Sequence, residues 1–247
     1  RGIFVRNVVI EIFGILLAMT LAGLLGRTIA QIATAQIVNE LTKLIAGILI
    51  FEQCNDNVFA YNSVTHGGDG FFLWAGQTTM DTGAGGCNNN YVYKNDFSYA
   101  PTNGVEITFS KNNILENIIK ECDHGIWGGY SWKTSIYGNQ FYKNRIGIAI
   151  EHGQHINISG NTFDSNKQAA IKIWARNSQP ADWGYAQKRN TKSMNYSFWQ
   201  NRFKNENTAF DLTLTNGLTL YKNTYENTKK KKKKDSSVQK LVINPAD

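Results

Sequence analysis

The chain is short of the residues that punctuate or staple most folds. Only three of its 247 residues are proline and 22 are glycine, which excludes a linker-rich or low-complexity chain. Three cysteines, Cys54, Cys87 and Cys122, with no paired C-x-x-C, give neither a disulfide framework nor a zinc pattern, so no structural metal is expected. Dispersed positive charge is also lacking. The formal charge is +7, but Lys229 to Lys234 is an unbroken run of six lysines, and 7 − 6 leaves +1 for everything else. One block near a terminus reads as a solvated tail, and no nucleic-acid partner is expected. The 42% of hydrophobic residues still supply a sizeable core.

What the chain does have is a repeat. Seven segments close alike, from "CNDNVFAYN" through "CNNNYVYKN", "FSKNNILEN", "SWKTSIYGN", "GQHINISGN" and "SMNYSFWQN" to "TNGLTLYKN". Their last asparagines, from Asn62 to Asn223, are 33, 22, 22, 22, 40 and 22 residues apart. Two residues later comes an apolar side chain, for example Ile119, Phe141 and Phe163. Eight or nine residues later a small residue opens a strand: Gly70, Gly104, Gly125, Gly147, Ala170, Ala209. Each unit holds three short alternating pieces, the pattern of strands.

A 22-residue unit of three strands cannot bury its own inward face, whereas a coiled chain stacks unit on unit around one core. Rungs about 4.8 Å apart bring equivalent asparagines into a ladder. The pattern predicts an all-β, parallel β-helix of about 22 residues per rung over 47–227, preceded by degenerate rungs or a capping segment at 1–46 and followed by a lysine-rich tail at 228–247. Val8 to Leu25 holds 18 residues with Glu11 as its one charge, so a membrane anchor is the alternative there. Cys54 and Cys87 occupy equivalent places one rung apart, close enough for a disulfide or for a reduced pair.

Alternation across the strand-opening segments, such as "GVEITFS", "GIWGGYS", "GIAIEHG" and "AIKIWAR", turns every second residue outward. One outward column then reads Leu49, Phe72, Glu106, Trp127, Ala149, Lys172, Asp211. Its neighbour reads Phe51, Trp74, Thr108, Gly129, Glu151, Trp174, Thr213. Tryptophans among charges on an outward ribbon mark a binding surface. Trp74, Trp127, Tyr130, Trp174 and Arg176 are the candidate substrate contacts, with a polysaccharide as the expected partner. The two insertions, Ala75–Gly86 and Arg176–Ser193, leave from this ribbon and are expected to wall a groove over Glu106, Trp127, Glu151 and Lys172.

Glu106 and Glu151 stand two rungs apart, about 9–10 Å along the axis, and are candidate carboxylates for hydrolysis. Lys172 is a candidate base for proton abstraction beside a uronate carboxylate. Asp123 and His124, in the turn before Trp127, and His152 complete the catalytic candidates.

The rung pattern from Gly47 to about Asn227 resembles right-handed parallel β-helix proteins of the pectate-lyase-like superfamily, especially those with carbohydrate-binding and sugar-hydrolysis repeats. That resemblance implies a carbohydrate-active enzyme, a polysaccharide lyase, hydrolase or epimerase, in an extracellular or periplasmic setting. "CDHG" partly matches the Asp-His element of β-helix lyases and uronan epimerases, and "EHG" shares His-Gly with polygalacturonases. The Asp-Pro-His-Asp, Asp-Asp and Arg-Ile-Lys elements are missing, so the reaction class stays open, as does a calcium requirement, for which no motif is present. A non-catalytic binding or scaffold module is the alternative.

Overall fold

Each rung of this chain exposes main-chain donors and acceptors along both edges, and a following rung of the same shape satisfies them. The computed structural model describes residues 46–243. It is a parallel β-helix with three sheets. Eight strands stack in the first sheet, from Ala46–Phe51 to Lys230–Lys234, and eight in the second, from Val58–Ala60 to Gln239–Ile243. Five short ones, from Ile118–Lys120 to Thr224–Glu226, form the third. The first-sheet register aligns Phe72 with Glu106, Glu106 with Trp127, Trp127 with Ala149, Ala149 with Lys172, and Lys172 with Asp211, the expected outward column.

Inward columns fill the coil. Val105, Ile126, Ile148, Ile171 and Phe210 from the first sheet are fully buried, as are Ile114, Ile136, Ile158 and Phe198 from the second. The apolar residue two past each ladder asparagine builds a ring stack: Phe141 on Phe163 at 4.9 Å, Phe163 on Phe203 at 5.1 Å and Phe203 on Tyr225 at 5.3 Å. Those rings explain the small strand-opening residues. A Cβ on Gly125 would lie 2.4 Å from the Gly147 carbonyl oxygen and 2.7 Å from the Phe141 ring.

The asparagine ladder runs the length of the coil. From Asn62 to Asn201, each amide nitrogen donates to the amide oxygen of the next ladder asparagine at 2.9–3.1 Å, and each backbone N–H donates to that same oxygen. The residue before each rung's asparagine, from Tyr61 through Lys94, Glu116, Gly138, Gly160 and Gln200 to Lys222, has φ of 52° to 68°. This left-handed corner costs a non-glycine residue roughly 1 kcal/mol, and the buried ladder bonds offset it. A second ladder turns the next corner. Asn144 and Asn166 continue it, and Glu206 replaces the asparagine of the following rung.

The coil does not stop near Asn227. Lys230–Lys234 is a strand in register with Thr208–Leu212, and Gln239–Ile243 pairs with the strand Thr215–Tyr221. The lysine block is thus the last strand of the first sheet rather than a tail. Lys233 meets Asp211 at 3.1 Å, and the Lys231 ammonium lies 4.6 Å from the Tyr225 ring centre. Long stems lying along apolar surface, with charged heads in water, are what lysine supplies there. At the other end, the expected cap at 1–46 and the candidate anchor Val8–Leu25 lie outside the described residues, apart from Ala46. No helix among the described residues is long and apolar enough to cross a membrane.

Candidate functional site

Glu106 is the outward-facing carboxyl of the first sheet with a strongly raised pKa. It projects outward from the strand Asn103–Ile107, yet burial and the nearby Asp69 carboxylate raise its pKa to about 8 while the Asn103 amide pulls the other way. Asn103 donates to Glu106 Oε2 at 3.0 Å. Asp69, one rung earlier, accepts the Asn103 backbone N–H at 2.8 Å and the Thr102 hydroxyl. At neutral pH Glu106 therefore carries its proton.

A polar relay holds Asn103 in place. Its amide oxygen lies 3.0 Å from His124 Nδ1, and His124 Nε2 lies 2.8 Å from Arg145 Nη2. An arginine only donates, so His124 Nε2 accepts and Nδ1 carries the hydrogen. Arg145 also grips Asp123 through Nε at 2.5 Å and Nη2 at 2.9 Å. That grip holds the Asp123 carboxyl below its ordinary range, and burial lowers the His124 pKa. Both nitrogens of neutral His124 are engaged. His124 and Asp123 here position Asn103 and Glu106, and neutral His124 has no lone pair free to take a substrate proton. Pro101, Thr102, Asn103, Asp123, His124 and Trp127 line a cavity of about 300 Å³, which Glu106 adjoins through its bond from Asn103 and its register with Trp127 without lining it.

On the far side of Trp127 the ribbon closes. Trp127 and Trp174 approach to 5.5 Å between ring centres, and Ala149 between them is fully buried. Lys172 keeps its ammonium 4.8 Å from the Trp174 ring centre. Glu151, expected to face solvent, is buried: its Oε1 accepts from Arg176 Nε at 2.7 Å and from Trp174 Nε1 at 3.1 Å. A buried carboxylate held through Oε1 by an ion pair and an indole is fixed as a structural partner of Arg176 and Trp174. Trp74 pairs in register with Phe51 and makes no ring contact with Trp127 or Trp174.

The insertions depart further from expectation. They do not stand apart as groove walls but meet. Phe109, Tyr130 and His152 stack at successive strand ends, each pair 4.8 Å apart, and Trp183 and Tyr185 pack edge-on against Phe109 and Tyr130. Helix α1 (Gln77–Thr82) reaches helix α2 (Gly184–Lys188) at this apolar corner, and Arg189 Nε donates to the Gly83 carbonyl at 2.6 Å. Tyr130 is thereby a covered residue whose hydroxyl donates to Gln179. His152 is buried; Nδ1 donates to the Thr191 carbonyl, and Nε2 accepts the Arg176 N–H at 3.0 Å. Tyr130, His152, Glu151 and the Arg176 backbone form the seat of the lid, because the sequence placed hydrophobic rings where the loops depart.

The structure thus brings Glu106, Asp123, His124 and Trp127 together, with Trp174 and Lys172 on the adjoining rungs. It separates from them Trp74, Tyr130, His152 and Arg176, while Glu151 touches the group only through Trp174 Nε1. Sequence reasoning passed over Asn103 and Arg145. Arg145 lies 22 residues after Asp123, and opposite charges one rung apart also mark Lys94–Glu116 and Asp211–Lys233. Spacing of opposite charges by one rung was the available signal. The three cysteines are free thiols, with Cys54 exposed and Cys87 buried, and no cluster of three or more His, Cys, Asp or Glu side chains suited to a metal occurs among the described residues.

A family model for the right handed beta helix region matches residues 36–191 and again 85–234. No curated protein and no solved structure matches the chain. With matches that together run from 36 to 234 and a described coil of parallel rungs, the chain belongs to the right-handed β-helix family.

Proposed function

We propose that this β-helix protein binds a polysaccharide across the first sheet at Trp127 and Trp174 and breaks it there, with Glu106 as general acid. The observation that carries the reading is Glu106 itself, a carboxyl whose pKa is pushed up to about 8 by burial and Asp69, held by Asn103, which lines a cavity with Trp127 and His124. Such an acid can protonate the departing glycosidic oxygen while a water molecule adds to the anomeric carbon and gives its proton to solvent, which leaves a new reducing end. The adjacent Asp69 carboxylate keeps the proton on Glu106 by like-charge repulsion. Lys172 and Arg145 supply positive charge to either side, suited to a uronate-containing polymer. An extracellular or periplasmic location goes with that substrate.

Recognition without chemistry is the second reading, favoured by one observation: Asp123, Glu151 and His152 spend their polar atoms on structural partners. A panel of neutral and uronate-containing glycans, followed for new reducing ends and for absorbance of new double bonds, separates the two. The proposal expects reducing ends with wild type and none with Glu106→Gln, which keeps binding. Binding without turnover across the panel would establish the recognition reading instead.

A further inference from the structure

The second sheet carries a row of rings that the first-sheet site does not use. In register down its outer face stand Tyr93, Leu115, Tyr137, Ser159, Trp199 and Tyr221. Tyr137 is 49% exposed, Trp199 37% and Tyr221 36%, more than an ordinary polar sheet face would leave to solvent. Tyr93, Tyr137 and Trp199 recur every second rung, about 9–10 Å apart by strand spacing, which is the length of two sugars in an extended chain.

Three features suit this row to a neutral glycan. The rings are set in advance: Trp199 Nε1 donates to Asn157 Oδ1 at 2.7 Å across one rung, which fixes the indole. Beside them the corner column drops to Gly138 and Gly160, so no side chain rises next to Tyr137, while Gln200 follows Trp199; a Cβ on Gly160 would come within 2.9 Å of the Tyr137 ring. On the other side runs a column of short amides and hydroxyls, Asn113, Ser135, Asn157, Ser197 and Thr219, able to bond sugar hydroxyls along the same line. Of the charges near the row, Lys94 lies 3.7 Å from Glu116, and the Lys222 ammonium lies 4.9 Å from the Tyr221 ring centre at one end. The first-sheet site, by contrast, is crowded with ionisable groups.

We infer that the Tyr93–Tyr137–Trp199 row is a second glycan-binding face, which holds a neutral polysaccharide extended along the coil axis. Rings stack on the apolar faces of alternate sugars, and the flanking amides and hydroxyls fix their register. The inference takes its ligand class from the polysaccharide reading but uses none of the first-sheet residues. The molecule would then have two contacts with polymer, one that holds and one that acts, and a wall or gel of mixed neutral and acidic chains would engage both.

Native gel electrophoresis through hydroxyethylcellulose, xylan, glucomannan and polygalacturonate tests it. Wild type is expected to be retarded by at least one neutral polymer. Tyr137→Ala/Trp199→Ala should weaken that retardation about tenfold or more, from two lost ring contacts. Trp199→Phe should restore most of it, and Asn157→Ala, which frees the indole, should fall between. Circular dichroism of each variant checks the fold, which exposed positions should leave intact. Lys143→Ala, an exposed position just after the third-sheet strand Gln140–Tyr142 and outside both faces, should not alter retardation by the neutral polymer. The inference is overturned if the double variant runs like wild type, if only Trp127→Ala releases the protein, or if no neutral polymer retards wild type. The last result leaves the first-sheet reading to its own turnover test.

Discussion

Glu206 tests whether the corner ladders are as interchangeable as their geometry implies. Asn144 and Asn166 each donate an amide hydrogen to a carbonyl one rung back, Ile119 at 3.0 Å and Phe141 at 3.2 Å. Glu206 takes the next place: its Oε1 accepts the Asn166 backbone N–H at 3.2 Å and side-chain amide at 2.8 Å, while Oε2 is buried with no partner. A protonated carboxyl can act there as a donor, as the amides do; a carboxylate cannot. Burial accordingly raises the Glu206 pKa from 4.5 to about 8. The folded chain holds the proton that the unfolded chain releases, so stability is fullest below about pH 4.5 and falls as pH rises to about 8. The interval, 8 − 4.5 = 3.5 pH units at about 1.4 kcal/mol each, sets a ceiling of about 5 kcal/mol. Glu206→Gln has an amide donor at every pH and should escape this loss. Denaturant unfolding of both proteins at pH 5 and pH 9 measures it, and the difference between variant and wild type cancels every other titration. The variant should gain about 2–4 kcal/mol relative to wild type between the two conditions. An unchanged difference would refute the reasoning.

Asn139→Ala removes a fully buried amide that accepts from Asn117 and donates to Asn161 and Ile114. Loss of about 3–5 kcal/mol is expected, read by urea unfolding, because partners on both sides are left unsatisfied. Gly184→Ala places a Cβ 1.8 Å from the Asp81 carbonyl oxygen, so limited proteolysis should cut the 176–193 insertion faster while the coil stays intact. Burial lowers the His152 pKa, so the unfolded chain takes up the proton first and stability is lost as pH falls through about 6.5. Hydrogen exchange in the same insertion should quicken on acidification, and His152→Gln should flatten that response.

Much of this architecture was readable from residue spacing. The rung length, the asparagine ladder, the ring stack after it and the outward column from Leu49 to Asp211 all follow from identical side chains recurring 22 residues apart, because a parallel coil converts sequence period into spatial contact. The lysine block misled because composition does not register that Lys231 has a ring beneath it and Lys233 an aspartate one rung back. Outward was also not the same as exposed. Glu151 and Tyr130 leave the coil as alternation requires, but two insertions far apart in sequence fold back and cover them, and loop conformation has no period to read. At the site, Glu106 and His124 were visible as residue types. Their coupling through Asn103 and Arg145 depends on side-chain direction at the strand's leading edge, which alternation alone does not give.

The pH dependence of polymer cleavage by wild type and Glu106→Gln tests the central claim most directly. With Glu106 as general acid, the rate should hold below about pH 8 and fall above it as the carboxyl ionises, and the variant should lose activity throughout. A rate that rises through that range, or a Glu106→Gln protein as active as wild type, would contradict the account and remove Glu106 from the chemistry.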